Sequence, residues 1–115
     1  MSIQRLHVGP RLSEVAIHNG VVYLAGQVAE DSSLDITGQT QQVLAAIDRL
    51  LAEAGSDKTL VLQATIFLKT LADFPGMNAV WDRWVVHGHT PPRATVEAKL
   101  AKPEYLVEVK IIAAQ

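Results

Sequence analysis

The dipeptide Asn19-Gly20 constrains this chain more than any other feature, because strand-forming runs flank it on both sides: Glu14-Val15-Ala16-Ile17-His18 before, Val21-Val22-Tyr23-Leu24 after. A two-residue loop with both residues at positive φ matches the right-handed twist of an antiparallel pair, and Asn-Gly adopts it at little steric cost. The chain is therefore expected to begin with a hairpin of strands 14–18 and 21–28. A short strand over 3–8 precedes it and stops at Gly9-Pro10. Gly26, inside the second hairpin strand, marks a bulge or a close approach of backbone to another group.

Beyond the hairpin, residues 29–36 are polar and read as loop. Val43, Leu44, Ile47, Leu50, Leu51 and Ala54 recur at helical spacing, so a helix is expected from about Thr37 to Ala54, with Gly55 at C′. Leu60 to Lys69 is β-rich. A second helix is expected to start near Asp73 to Pro75, carry a stripe of Met77, Val80, Trp81, Trp84 and Val85, and end at Gly88. Arg93 to Leu100 and Tyr105 to Ala113 read as two last strands, and the short Ala101-Lys102-Pro103-Glu104 link suits an antiparallel hairpin. The order βββαβαββ predicts one α+β domain over residues 1–115, with both helices on one face of the sheet. Tyr23, Ile66, Val96 and Val109 are expected on the other face, too apolar to be left wet.

Composition points the same way. Charged residues are 19% and apolar residues 49%, less polar than the large relative surface of a small domain requires. A homo-oligomer is expected, its small sheets packed around an axis into a barrel-like assembly. Ten basic against twelve acidic residues, a net charge of −2, give no general attraction for polyanions and argue against nucleic acid as partner. The absence of cysteine removes disulfides, thiolate metal sites and a cysteine nucleophile. No apolar run approaches a membrane span, and the first residues lack the apolar core of a signal peptide, so a cytoplasmic setting is expected.

Two charged residues stand out against this apolar background. Arg93 opens a strand within Pro91-Pro92-Arg93-Ala94-Thr95-Val96-Glu97, and Glu108 interrupts Leu106-Val107-Glu108-Val109-Lys110-Ile111-Ile112. Ions leave water only when paired, hydrogen-bonded or used in chemistry. With a turn at 101–104, Glu97 lies near Glu108, and Arg93 and Glu108 point the same way about 13 Å apart along the strands. That spacing is too long for a simple ion pair. Either a ligand lies between the two, or each meets a group from a neighbouring subunit; a structural salt bridge across an interface is the plain alternative. Guanidinium is a planar fork suited to a carboxylate, and a carboxylate such as Glu108 can hold or deprotonate a water.

Other candidates carry simpler readings. His87 and His89 lack a third ligand nearby, so no metal site is expected, and His87 suits a helix C-terminus. Trp81 and Trp84 fall in the helical stripe and read as core. Lys110 shares a face with Glu108 and would neutralise it. Asn78 on the second helix reads first as a solvated side chain.

Several of these segments together resemble the RidA/YjgF/RutC family. They are Met77-Asn78-Ala79-Val80-Trp81, Pro91-Pro92-Arg93-Ala94-Thr95-Val96 and Val107-Glu108-Val109-Lys110-Ile111-Ile112-Ala113. The likeness is greatest to the small YoaB-type members, through Trp81, Trp84-Val85-Val86, Gly88-His89-Thr90-Pro91 and Ser13-Glu14-Val15-Ala16-Ile17-His18-Asn19. Val22-Tyr23-Leu24-Ala25-Gly26-Gln27 and the stretch from Phe67 to Phe74 also fit, so the resemblance spans nearly the whole chain. It implies a chorismate-mutase-like α+β fold and a homotrimer with three ligand sites in clefts between subunits. It further implies an enamine/imine deaminase that hydrolyses 2-imino or 2-enamino acids, such as 2-aminoacrylate, to 2-keto acids and ammonia. In that chemistry Arg93 holds the substrate carboxylate and Glu108 positions the water, with no metal or organic cofactor. Backbone amides around Ala94 and Thr95 add contacts to the carboxylate, and Asn78, Ala25 and Arg11 complete the expected site.

Three positions depart from the deaminase pattern. Arg11 stands where a tyrosine follows the Gly-Pro, Ala25 where a serine precedes the Gly-Gln pair, and Thr95 where a cysteine follows the arginine by two residues. The alternative function is therefore a non-catalytic module that senses a small carboxylate, such as a 2-keto acid, in the same cleft. A nuclease or translation inhibitor, a third reading suggested by some relatives, fits poorly with the charge of −2 and the lack of a basic-aromatic patch.

Overall fold

The computed structural model describes residues 2–115. Strands β1 (Gln4–Val8), β2 (Ser13–His18), β3 (Val21–Leu24) and β4 (Gln27–Val28) come first, then helix α1 (Ile36–Glu53). Strand β5 (Val61–Leu68), helix α2 (Phe74–Trp84), and strands β6 (Arg93–Glu97) and β7 (Val107–Ala114) follow. The seven strands make one mixed sheet in the order β1-β2-β3-β7-β5-β6, with β4 also pairing with β7. Only the β5–β6 pair is parallel among the described strands. The α+β class and the helices over a single face agree with the sequence-based expectation.

Asn19 and Gly20 turn the first hairpin at φ of 53° and 75°, and the pairing sets Val15 against Leu24 and Ile17 against Val22. The strand expected over 21–28 is broken at Ala25-Gly26 into β3 and β4. The break falls where Gly26 allows another side chain to come close, as its position inside a strand anticipates.

Asp35 caps α1 by accepting the Gly38 N–H at 2.9 Å. At the other end the Gly55 N–H donates to the Ala52 carbonyl and the Ser56 N–H to the Leu51 carbonyl, a Schellman closure with Gly55 at φ 77°. Every residue of the expected stripe is at most 5% exposed. It packs on one side of the sheet, against Val22, Leu24, Val109 and Ile111.

Helix α2 ends earlier than its apolar stripe suggests. Val85 has left the helix at ψ 151°, and Val85-Val86 are β-branched residues that lower helix propensity. Val85 still packs on the core, but through an extended backbone. His87 therefore lies in the turn beyond the helix and does not sit on its C-terminal carbonyls.

The last hairpin does not form. β5 lies between β6 and β7, pairing in parallel with β6 and antiparallel with β7. Strand β6 ends at Glu97 and β7 begins at Val107, so the link is longer than the four residues that suggested a turn. Gln39, fully buried, ties it down: its Nε2 donates to the Glu104 carbonyl at 3.0 Å and its Oε1 accepts the Leu106 N–H at 2.9 Å. β7, paired with β3, β4 and β5, is central to the sheet, and its odd-numbered residues, Val107 to Ala113, are all at most 1% exposed.

Registers then divide the residues between faces. Ile66 and Val109, expected on the uncovered side, are paired with each other and point at the helices. Tyr23 and Val96 do face away, 45% and 43% exposed. The molecule measures 43 × 38 × 20 Å, a sheet with one helical layer and one open face.

Candidate active site

Arg93 and Glu108 lie on opposite faces of the sheet. Arg93 pairs with Ala64, and Ala64 with Ile111, residues of the helix-covered side. Glu108 pairs with Phe67, whose neighbour on β6 is Val96 on the open side. The expectation that both point the same way rested on the hairpin, and inserting β5 reverses it. Glu97 likewise pairs with Leu68 and accepts the Leu71 N–H at 3.0 Å, away from Glu108.

The arginine side of the candidate site is built by α2. Phe74, Asn78 and Trp81 fall on one helical face, and the Arg93 guanidinium lies 5.6 Å from the Phe74 ring centre and 5.3 Å from that of Trp81. Aromatic faces stabilise a half-buried cation by about 0.5–2 kcal/mol but accept none of its in-plane N–H bonds. No carboxylate stands within ion-pair distance of Arg93 among the described residues. On α2 between Phe74 and Trp81, and on the Arg93 face of β6, Asn78 Oδ1 and Thr95 Oγ1 are buried without a hydrogen-bond partner. Asn78 is thus not the solvated residue its helical position first suggested. Buried polar atoms are nearly always satisfied, so such orphans point to a group that completes them. Trp81, expected from the sequence as core, is core and cradle at once, and Phe74 is a contribution that sequence reasoning missed; the signal was Phe74, Asn78 and Trp81 at i, i+4 and i+7.

The glutamate side is built by the β3–β4 break. A β-carbon at residue 26 would lie 2.1 Å from Glu108 Oε2, so the carboxylate lies directly over the Gly26 backbone. Ala25 is half-buried at the same break, its N–H donating to the Glu14 carbonyl at 2.9 Å. Next to it Gln27 Nε2 donates to Glu14 Oε2 at 2.7 Å. Lys110 shares the open face with Glu108 but forms no ion pair with it.

The remaining candidates are dispersed. Ala94 pairs with Thr65 on the open face, back to back with Thr95. Arg11 is exposed in the turn between β1 and β2, at the opposite sheet edge from β6. One chain therefore gathers Arg93, Asn78 and Thr95 in one place, Glu108 and Ala25 in another, and Arg11 in a third.

The model of the family described as Endoribonuclease L-PSP matches residues 2–115. A RutC family protein from Haemophilus ducreyi is 51% identical over 112 residues, covering 97% of this chain and 96% of its own. The chain belongs to the RidA/YjgF/RutC family. The RutC family protein YoaB of Escherichia coli is 48% identical over 114 residues, 99% of each chain, in keeping with the YoaB-type features of the sequence. The crystal structure of a YjgF family member from Neisseria meningitidis superposes with a TM-score of 0.97 at 50% identity, covering 100% of this chain and 96% of that one. Among the described residues no helix is long and apolar enough to cross a membrane.

Proposed function

We propose that this RutC-family chain is an enamine/imine deaminase acting on 2-imino and 2-enamino acids in clefts between subunits of a homotrimer. The observation that carries the reading is the Arg93 guanidinium, held on two aromatic rings with no counter-charge and flanked by orphaned Asn78 Oδ1 and Thr95 Oγ1. A substrate carboxylate supplies what the arginine lacks, in the bidentate geometry guanidinium favours. The opposed faces of Arg93 and Glu108 favour the second of the two arrangements open to them, in which the arginine of one subunit meets the glutamate of the next.

Little further machinery is needed. The 2-iminium carbon is already electrophilic; Glu108 accepts a proton from the attacking water while the new C–O bond forms. The proton on Glu108 then passes to the amine nitrogen of the carbinolamine, the C–N bond breaks to release ammonia, and the hydroxyl loses its proton to leave the 2-keto acid. Backbone amides around Ala94 and Thr95, with Asn78, Ala25 and Arg11, are proposed to shape the substrate pocket. No cofactor enters this chemistry.

The alternative is a sensor of small carboxylates in the same cleft, favoured by Ala25 and Arg11 standing where deaminases carry hydroxyl groups. The two separate in one assay: loss of 2-aminoacrylate generated in situ by a serine dehydratase, for wild type, Arg93→Ala and Glu108→Gln. Acceleration by wild type, lost in both variants, is the expected result. No acceleration, together with saturable 2-keto-acid binding that Arg93→Ala abolishes, would instead establish the sensor.

A further inference from the structure

Three of the five lysines in this chain, Lys69, Lys99 and Lys102, line one cavity of about 310 Å³ with Leu100 and Pro103. No acidic residue lines it, and none of the three is ion-paired among the described residues. In a chain with net charge −2, so local an excess of positive charge is not a property of the surface as a whole. An anion entering the cavity would meet this positive charge with no acidic side chain on the lining to oppose it.

The cavity stands where the fold is suited to hold a ligand. Among the described residues β5, α2 and β6 form the one parallel crossover unit, and Lys69 directly follows β5 while Lys99 lies two residues beyond β6. Carboxyl ends of adjacent parallel strands, with the loops that leave them, are the usual place for ligand crevices in such units. The wall is also anchored: Lys69 Nζ donates to the Pro103 carbonyl at 2.6 Å, and the Lys69 N–H to the Leu106 carbonyl at 3.0 Å. Lys102 Nζ is 5.7 Å from the Tyr105 ring centre. Edge-strand protection is an incomplete account of these lysines, since β6 itself carries none from Arg93 to Glu97 and they gather at one end.

We infer that this cavity binds a small polyphosphate group, such as the di- or triphosphate of a nucleotide, with the lysine ammonium groups on the phosphate oxygens. Ammonium groups serve phosphate as point charges without the planar fork a carboxylate selects, which separates this site from Arg93. Leu100 and Pro103 offer apolar surface to the rest of the ligand. The site is independent of the deaminase reading.

The test is calorimetric titration of the intact protein at low ionic strength with inorganic phosphate, pyrophosphate and tripolyphosphate. Affinity is expected to rise with ligand charge, by about ten-fold from phosphate to tripolyphosphate, and to fall steeply with added salt. Lys99→Ala with Lys102→Ala should weaken tripolyphosphate binding by about ten-fold or more at an unchanged melting temperature, while Arg93→Ala leaves it intact. Lys69 is kept because it also holds the Pro103 carbonyl. Should the double variant unfold, Lys99→Glu alone serves the same purpose. Absence of saturable binding, binding indifferent to the lysine substitutions, or loss in Arg93→Ala would each overturn the assignment. So would an oligoribonucleotide that binds more tightly than tripolyphosphate of equal charge.

Discussion

Glu108 and Gly26 illustrate how tightly single residues are specified. A methyl group at residue 26 would meet the Glu108 carboxylate at 2.1 Å, so Gly26→Ala is expected to rotate the glutamate away from its place. If the proposed deaminase function holds, turnover of an enamine substrate should drop about ten-fold or more, with stability lowered by only about 1–2 kcal/mol because the clash is with a flexible side-chain end. Turnover measured beside a melting curve checks both parts. Asp57 gives a pH prediction. Its carboxylate accepts from the Thr59 hydroxyl and from the Thr59 N–H at 2.7 Å, and these bonds hold it below its ordinary value of 3.8. Because the folded pKa is the lower one, the stabilisation is present above the unfolded value and lost as pH falls through the folded value. The stability gap between wild type and Asp57→Ala should therefore close between about pH 5 and pH 2, as urea midpoints would show. At this scale the glycine inside a strand was legible, since its missing side chain implies a close approach. Asn78 was not, since a polar residue on a helix reads the same whether its oxygen meets water or a ligand.

Elements were legible where local signals agreed. Asn19-Gly20, the α1 stripe and Gly55 combine turn chemistry, periodicity and capping, which act within a few residues of one another. The end of α2 was less so, because Val85 contributes to the apolar stripe while its backbone is already extended. The last strands depart from expectation because a four-residue link looks like a hairpin, whereas which strand lies next to which is set by remote packing. Gln39 is the residue that enforces the observed link, with Nε2 also donating to the Ser32 and Leu34 carbonyls at 3.1 and 2.9 Å. Gln39→Ala removes these bonds and leaves the Leu106 N–H without a partner. It is expected to cost about 3 kcal/mol, read as a lower urea midpoint at unchanged slope, with faster amide exchange confined at first to residues 31–36 and 98–106.

The whole molecule sets the question that one chain leaves open, since Arg93 and Glu108 stand on opposite sides of its sheet. If the site lies between subunits, two inactive variants should complement each other. In the proposed trimer, refolded from equal amounts of Arg93→Ala and Glu108→Gln, about a quarter of the clefts would join an intact arginine to an intact glutamate, so about a quarter of wild-type activity is expected. Activity that stays at zero in well-formed mixed trimers would place both groups in one subunit. The apolar open face, with Tyr23 and Val96 exposed, is the surface such an assembly would cover.

Sequence alone determined the α+β class, the hairpin, the two helices, the family and the two residues most worth testing. Each depends on local geometry or on residue types whose burial is costly, and such terms act near their own position in the chain. Tertiary structure alone decided that β5 separates β6 from β7, and with it the faces of Arg93, Glu108, Ile66 and Val109. The physical reason is the two-residue period of a strand: its alternation divides residues into two sets, and only pairing with its neighbours says which set faces the helices.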